Sequence, residues 1–384
     1  MKILHILPSI SKLYGGPTTS IFSYTKNLRD IGVKAEILTT DMNLFKNSNE
    51  YKSFQIINNV PVHITKNINF PFKKIYEFGI SPDIFLWIRK NISKYDLIHI
   101  YGLFRFPSTL AMVYSIKFKV PFVFYACGGF DNANFKNNVW LKKNYLNFFD
   151  KKNLEKSACL HFNSIKERNE AQKKSIKFKS FVLPVGVKVP PLKIVKNKSK
   201  SEKKINFIFL SRIHPIKRLE IFLKAMGILN KNKNIKKWKL HIAGEGDLDY
   251  KKFLLNIIKE ENIQENISWH GFLENDAKNK LLRKCDWLVS TSKSESLGIS
   301  IIEALSQGLP VMITKGIAIS NKLSKKKAGY IVSENPKLLA TQIKNKFLRK
   351  PNEVEILNAY NFALENYCEK KLANKLLKKY KELI

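Results

Sequence analysis

Short apolar runs alternate along this chain with longer stretches in which apolar positions recur every third or fourth residue. The short runs predict strands over residues 3–7, 35–40, 97–101, 120–125, 159–162 and 181–185. A second series follows over 205–211, 239–243, 267–269, 287–290 and 311–313. A helix is expected over 18–31, entered from the turn Tyr14-Gly15-Gly16-Pro17 and stopped at Gly32, and an amphipathic Lys-rich helix over 370–383. Strands alternating with helices are the pattern of an α/β protein with parallel sheets. Each half opens on its own strand and has its own glycine turns, which predicts two Rossmann-like domains. The first is expected over 1–189 and the second over 205–365. Residues 190–204, PPLKIVKNKSKSEKK, read as a linker because they are rich in Lys and Pro and poor in large apolar groups. The last segment, 366–384, is expected to pack back on the first domain.

Length and composition agree with that division. A chain of 384 residues suits two domains, and 44% hydrophobic with 12% aromatic residues excludes a disordered polymer. No uninterrupted apolar run approaches the roughly 18 residues that a membrane-spanning helix needs. The opening MKILHILPSI is broken by His5 and Pro8 and reads as a buried strand rather than a secretory leader. Cys127, Cys159, Cys285 and Cys368 are far apart and form no C-x-x-C pair. They read as reduced thiols of a cytoplasmic protein, not as a disulfide framework or a zinc site.

Charge changes the picture less than its size suggests. Lys and Arg total 68 against 31 Asp and Glu, a net +37. Such an excess suits a polyanion. Yet only eight of the basic residues are Arg, the side chain that makes bidentate contacts to phosphates and bases. The lysines are spread evenly, without a basic tail, so no nucleic-acid partner is expected. The coat is either compositional or suited to an anionic membrane surface.

The candidate chemistry gathers in Ser294-Glu295-Ser296-Leu297-Gly298-Ile299-Ser300-Ile301-Ile302-Glu303. A strand runs into polar residues, a glycine turn and an apolar helix. Glu295 falls at the strand's carboxyl end, where open α/β sheets place ligands. The amides after it would form a helix N-terminus suited to a diphosphate. Glu303 lies eight residues on, about two helical turns, so it could share the ligand side. Spacing alone favours two surface glutamates flanking a helix cap.

This segment resembles the retaining GT-B glycosyltransferases of glycosyltransferase family 4, whose hallmark is a Glu, seven residues and a second Glu. Further landmarks match in order: Leu210-Ser211-Arg212-Ile213-His214-Pro215-Ile216-Lys217, Ala243-Gly244-Glu245-Gly246, His270-Gly271 and Gly308-Leu309-Pro310-Val311. The resemblance implies a GT-B architecture, two Rossmann-like domains with parallel sheets facing across a cleft. It also implies transfer of a sugar, with retention of configuration, from a UDP- or GDP-linked donor to a hydroxyl of a glycan or lipid-linked acceptor. Bacterial surface polysaccharide is the expected setting, and no metal or other cofactor is implied. Glu295 would bind the donor sugar, while Arg212 and Lys217 would neutralise the departing diphosphate. Glu303 would take the ribose hydroxyls. Gly244 and the backbone of Leu297, Gly298 and Ile299 would complete the donor site. In the first domain, Gly15 and Gly16 match the family's glycine-rich loop, for acceptor or phosphate.

Some positions depart from the family's pattern. Cys127 stands where relatives often have His or Arg, and a thiol cannot replace a cation; Asp131 could contribute instead. Arg218 and Thr291 replace the usual Gly and Pro. Asp247-Leu248-Asp249 looks like a metal-binding D-x-D, but it falls in the wrong domain for one. Gly244-x-Gly246 lacks the third glycine of a dinucleotide fingerprint. His99 reads as a packed histidine. The aromatic, Lys-rich stretch 140–153 reads either as a core-facing helix or as a membrane-surface element. A GT-B nucleotide-sugar epimerase and a non-catalytic basic scaffold are the competing functional classes.

Overall fold

The short apolar runs become the central strands of two sheets, one in each of two units. Unit one comprises Met1–Gly186 with Glu369–Ile384, and unit two is Val187–Cys368. The computed structural model describes the chain except for residues 12–13, 45–50, 131–138, 193–203, 232–234 and 236, so most of the expected linker lies outside the described residues.

Unit one holds β1 (Lys2–Ser9), β2 (Lys34–Thr40), β3 (Phe54–Ile57), β4 (Val60–Thr65), β5 (Leu97–Tyr101), β6 (Phe122–Tyr125), β7 (Cys159–Phe162) and β8 (Ser180–Val182). Their order across the sheet is β3-β4-β2-β1-β5-β6-β7-β8. Only the β3–β4 pair is antiparallel among these pairings. That hairpin was not expected from the pattern. Its turn is Asn58-Asn59 at φ 52° and 63°, the left-handed pair of a type I′ turn, which Asn tolerates. Pro61, which argues against a strand, lies just ahead of Val62, where pairing to β2 starts.

Unit two holds β9 (Ile205–Leu210), β10 (Trp238–Ala243), β11 (Ile267–Gly271), β12 (Trp287–Ser290), β13 (Val311–Ile313) and β14 (Gly329–Ile331). The order is β11-β10-β9-β12-β13-β14, with parallel pairing throughout. Both units are therefore doubly wound α/β folds in which the strand order reverses beside the first strand. The central strands β1, β5, β6, β7, β9, β12 and β13 are buried on both faces, and this is why they read as near-continuous apolar runs.

The two sheets are filled differently. In unit one, Leu4, Ile6, Ile98, Ile100, Phe122, Phe124, Leu160 and Phe162 point into an apolar core. The alternate positions carry His5, His99, Tyr101, Tyr125 and His161, all buried. The helices Gly16–Asp30 and Glu369–Lys381, which touch each other, add Tyr24 and Tyr380 to this polar layer. The His161 Nε2–H donates to the Leu183 carbonyl at 2.6 Å, so its Nδ1 accepts from His99 Nε2 at 3.4 Å. His99 Nδ1 then accepts from the Tyr380 hydroxyl at 2.6 Å, which leaves the Tyr101 hydroxyl to donate to His5 Nδ1 at 2.8 Å. Burial keeps the rings neutral. It pushes His5 down to about 3 and His161 to about 4, and holds His99 well below the usual range. Unit two's core is apolar: Phe207, Phe209, Phe222, Trp287 and Phe347 pack with Leu, Ile and Val.

Candidate functional site

The strand order of unit two reverses between β9 and β12, and the carboxyl ends of strands at such a reversal are where open α/β sheets place ligands. The loop after β9 carries Arg212 and Lys217, and the loop after β12 carries Glu295. Backbone hydrogen bonds fasten the first loop to its neighbour after β10: Ser211 N to Ala243 O at 3.1 Å, Ile213 N to Glu245 O at 3.0 Å and Asp247 N to Ile213 O at 2.8 Å. The contact is so close that a Cβ on Gly244 would stand 1.9 Å from the Ser211 oxygen. Gly244 therefore supports the segment bearing Arg212 through backbone shape. Arg212 itself is exposed.

A short 3₁₀ turn, Pro215–Lys217, brings Lys217 round to Glu295. The Lys217 ammonium donates to Glu295 Oε1, and Ser292 Oγ donates to the same oxygen at 3.1 Å. Three further contacts tie the loops together. Lys293 N donates to Ile216 O at 2.9 Å, and the Thr291 hydroxyl reaches the carbonyls of Lys217 and Arg218 at 3.1 and 2.7 Å. Arg218 and Thr291, two of the departures from the family's pattern, thus touch, since Arg218 Nε also donates to Thr291 O at 3.0 Å. Arg218 sits at φ 50°, ψ 44°, a left-handed conformation that explains a glycine preference there.

After Glu295, Leu297 is buried and Gly298, at φ 77°, ψ 70°, opens the helix Ile299–Ser306 without a side-chain cap. Glu303, within the helix, accepts from Lys278 Nζ at 2.6 Å, both side chains about one-fifth exposed. Lys278 belongs to the helix Asn275–Lys284. Neither Lys278 nor Ser292 stood out in the sequence, because nothing in their local pattern points at a partner 25 or 3 residues away. Asp247 caps the helix Leu248–Glu260 through Tyr250 N at 2.8 Å, and Asp249 is fully exposed beside Lys252. That turn is built as a helix cap.

Unit one has a corresponding reversal between β1 and β5. Gly15, at φ 70°, ψ −126°, precedes the helix Gly16–Asp30. On the opposite loop Arg105 donates through Nε to the Tyr14 hydroxyl at 3.2 Å and through NH1 to Glu77 O at 2.7 Å. Cys127 follows β6 at φ 54°. Burial and the nearby Glu167 carboxylate push its thiol well up, so it offers neither a thiolate nor a cation. Glu167 is wholly buried and accepts from Gly128 N at 2.6 Å and Asn163 N at 3.0 Å. Asp131 lies outside the described residues.

Comparison with known proteins bears on the family and the fold. Residues 192–362 match the model of the glycosyl transferases group 1 family. The chain is 30% identical over 322 residues to the glycosyltransferase MJ1178 of Methanocaldococcus jannaschii, covering 82% of this chain and 79% of that protein. It is 26% identical to the poly(ribitol-phosphate) alpha-N-acetylglucosaminyltransferase of Staphylococcus aureus across 79% of this chain, and it spans 53% of that longer protein. Among solved structures, HepE of Anabaena in complex with UDP and glucose is similar along all of both chains, at 19% identity and a TM-score of 0.74. The sucrose-phosphate synthase of Thermosynechococcus elongatus has 14% identity and a TM-score of 0.80, covering 100% of this chain and 99% of that one. At such low identity these two likenesses speak for the fold alone, two Rossmann-like domains of the GT-B class.

Proposed function

Because the chain belongs to the glycosyl transferases group 1 family, we propose that it moves a sugar from a nucleotide-diphosphate donor to a hydroxyl of a glycan or lipid-linked acceptor, with retention of configuration. The observation that carries this reading is the Lys217–Glu295 pair at the strand-order reversal of unit two. In the reaction the bond from the sugar's anomeric carbon to the phosphate oxygen breaks and a bond to the acceptor oxygen forms. The acceptor's proton leaves with the diphosphate or the solvent. Negative charge grows on the diphosphate while the sugar becomes cationic. Lys217, Arg212 and the amides around Gly298 answer the first, and the Glu295 carboxylate, oriented by Ser292, answers the second and takes sugar hydroxyls. Glu303, held by Lys278, takes the ribose hydroxyls. These groups supply the charge without a metal ion.

The donor is UDP- or GDP-linked; the UDP carried by HepE favours UDP. The acceptor is proposed to lie on unit one, at the loops bearing Gly15, Gly16 and Arg105, in the synthesis of bacterial surface polysaccharide such as lipopolysaccharide, O-antigen or capsule. The site of action is the cytoplasmic face of the membrane. Thermal shift with UDP, GDP and their sugar conjugates tests the donor. UDP or GDP should stabilise the wild type and stabilise Glu303→Ala much less. Absence of a shift with any nucleotide would overturn the reading.

A further inference from the structure

The stretch 140–149 is where the structure departs furthest from a core-facing helix. Trp140 is 73% exposed, Leu141 59%, Phe148 77% and Phe149 56%. The segment is not loose on its inner side. Leu146 and Asp150 are buried, and the Tyr145 ring packs on Phe78 and Phe104 with centroids 5.5 and 6.1 Å apart. The Tyr145 hydroxyl lies 2.8 Å from Thr109 Oγ1. The helix is anchored by one face, and its large apolar groups stand on the other.

The Phe78 contact brings in a second element. Phe78 ends the short helix Lys73–Phe78, which also leaves Phe72 and Ile75 in solvent. Exposed apolar residues scattered singly need no explanation, but several grouped on adjoining elements mark an interaction surface. The charged neighbours say which kind. Lys73, Lys74, Lys143 and Lys152 are exposed among them, with Lys142 and Lys151 half-buried. Of the acids in these elements Asp150 is buried, Glu77 is half-buried and Glu155 alone is exposed. A second copy of a chain carrying +37 would meet like charge here. An anionic bilayer meets both features, accepting Trp and Phe at the headgroup level and attracting the lysines.

We propose that this face, centred on Trp140, Leu141, Phe148 and Phe149, docks unit one on an anionic lipid bilayer. The proposal deepens the membrane location in the functional reading, and its test needs no nucleotide or acceptor. The full-length protein is sedimented with vesicles of phosphatidylcholine alone, or with about 30% phosphatidylglycerol, at low and high salt. Anionic vesicles should pellet the protein at low salt, neutral ones should not, and high salt should weaken binding. Trp140→Ser with Phe148→Ser should lower binding roughly tenfold or more, because two interfacial anchors are lost. Both side chains are solvent-exposed, so the melting temperature should hold, and unchanged melting qualifies the variant. Tryptophan emission should shift to the blue with anionic vesicles in the wild type and not in Trp140→Phe. Equal sedimentation of the double variant, or a dimer in solution held by this face, would overturn the proposal. Failure to bind vesicles while sugar transfer proceeds would sink this inference and leave the transferase reading intact.

Discussion

The two units share a winding scheme and place opposite kinds of polar chemistry in it. Unit two keeps its core apolar and puts charge at the ends of its strands, in the Lys217–Glu295 and Lys278–Glu303 pairs. Unit one does the reverse. Its polar groups lie beneath the sheet, in a neutral layer of histidines and tyrosines closed by Tyr380 from the last helix. Where a polar group stands decides what it can do. At a strand end it can meet a ligand and alter a barrier. Under a sheet it can only hold the fold together, and it makes the fold sensitive to protons.

The contrast is most open to breakage at Glu295. If unit two's charges serve chemistry, Glu295→Gln and Lys217→Met should each reduce sugar transfer about 10²–10³-fold, with the circular dichroism spectrum unchanged. Activity within threefold of wild type would remove the pair from the mechanism.

The second effect is acid lability confined to unit one. His5, His99 and His161 are neutral in the fold and would be charged in the unfolded chain below about pH 6.5. Their folded values are depressed, so their contribution to stability is present above about pH 6.5. It is lost as pH falls toward the values of about 3 and 4 for His5 and His161. Hydrogen exchange between pH 7 and 5 should show β1, β5 and β7 losing protection well before β9 and β12. Uniform loss across both sheets would dissolve the contrast.

Asp150 sharpens it with the opposite sign. Burial raises its carboxyl to about 6, against help from Thr109 Oγ1, which donates at 2.7 Å. A raised value contributes stability below the unfolded pKa near 3.8 and loses it as pH rises through about 6. Asp150→Asn should therefore stabilise the protein by about 1–3 kcal/mol at pH 8 and by nothing near pH 4. Chemical denaturation at the two pH values measures this. A gain that is the same at both would show that the charge is not its source.

Lys278 tests the finer grain of unit two. If it positions Glu303 for the ribose, Lys278→Met should weaken UDP binding about tenfold, and 2′-deoxy-UDP should lose less. Equal losses for the two nucleotides would mean that the pair is merely structural.

How far all this could be read in advance follows from the same contrast. The central strands were legible because burial on both faces makes continuous apolar runs. The motif residues were legible because strand ends repeat short local patterns. The edges were not. β14 has three residues, and β3–β4 hides behind Asn58-Asn59 and Pro61. Nor were the contacts between distant segments. Lys278 gains meaning only opposite Glu303, and His99 only opposite Tyr380, 281 positions away. The exposure of Trp140 and Phe148 was ambiguous for a related reason. Helical spacing specifies a face but not which side of it the neighbouring elements cover.

The smallest expected effect lies at Arg218, where backbone and side chain pull in opposite directions. Its left-handed backbone costs a non-glycine residue about 1 kcal/mol. Its guanidinium returns a bond to Thr291 O and a pair with Glu334, whose side chain is half-exposed; an exposed pair contributes at most about 1 kcal/mol. Glycine would relieve the strain and lose those bonds, while the Thr291 hydroxyl would still reach the backbone carbonyls of positions 217 and 218. Arg218→Gly should therefore stay within about 1 kcal/mol of wild type, and Arg218→Ala, which loses the bonds and keeps the strain, should be less stable by about another 1 kcal/mol. Melting curves of the two variants measure the order. If alanine is as stable as glycine, the loop beneath Lys217 does not depend on a left-handed residue, and the explanation of the family's glycine falls with it.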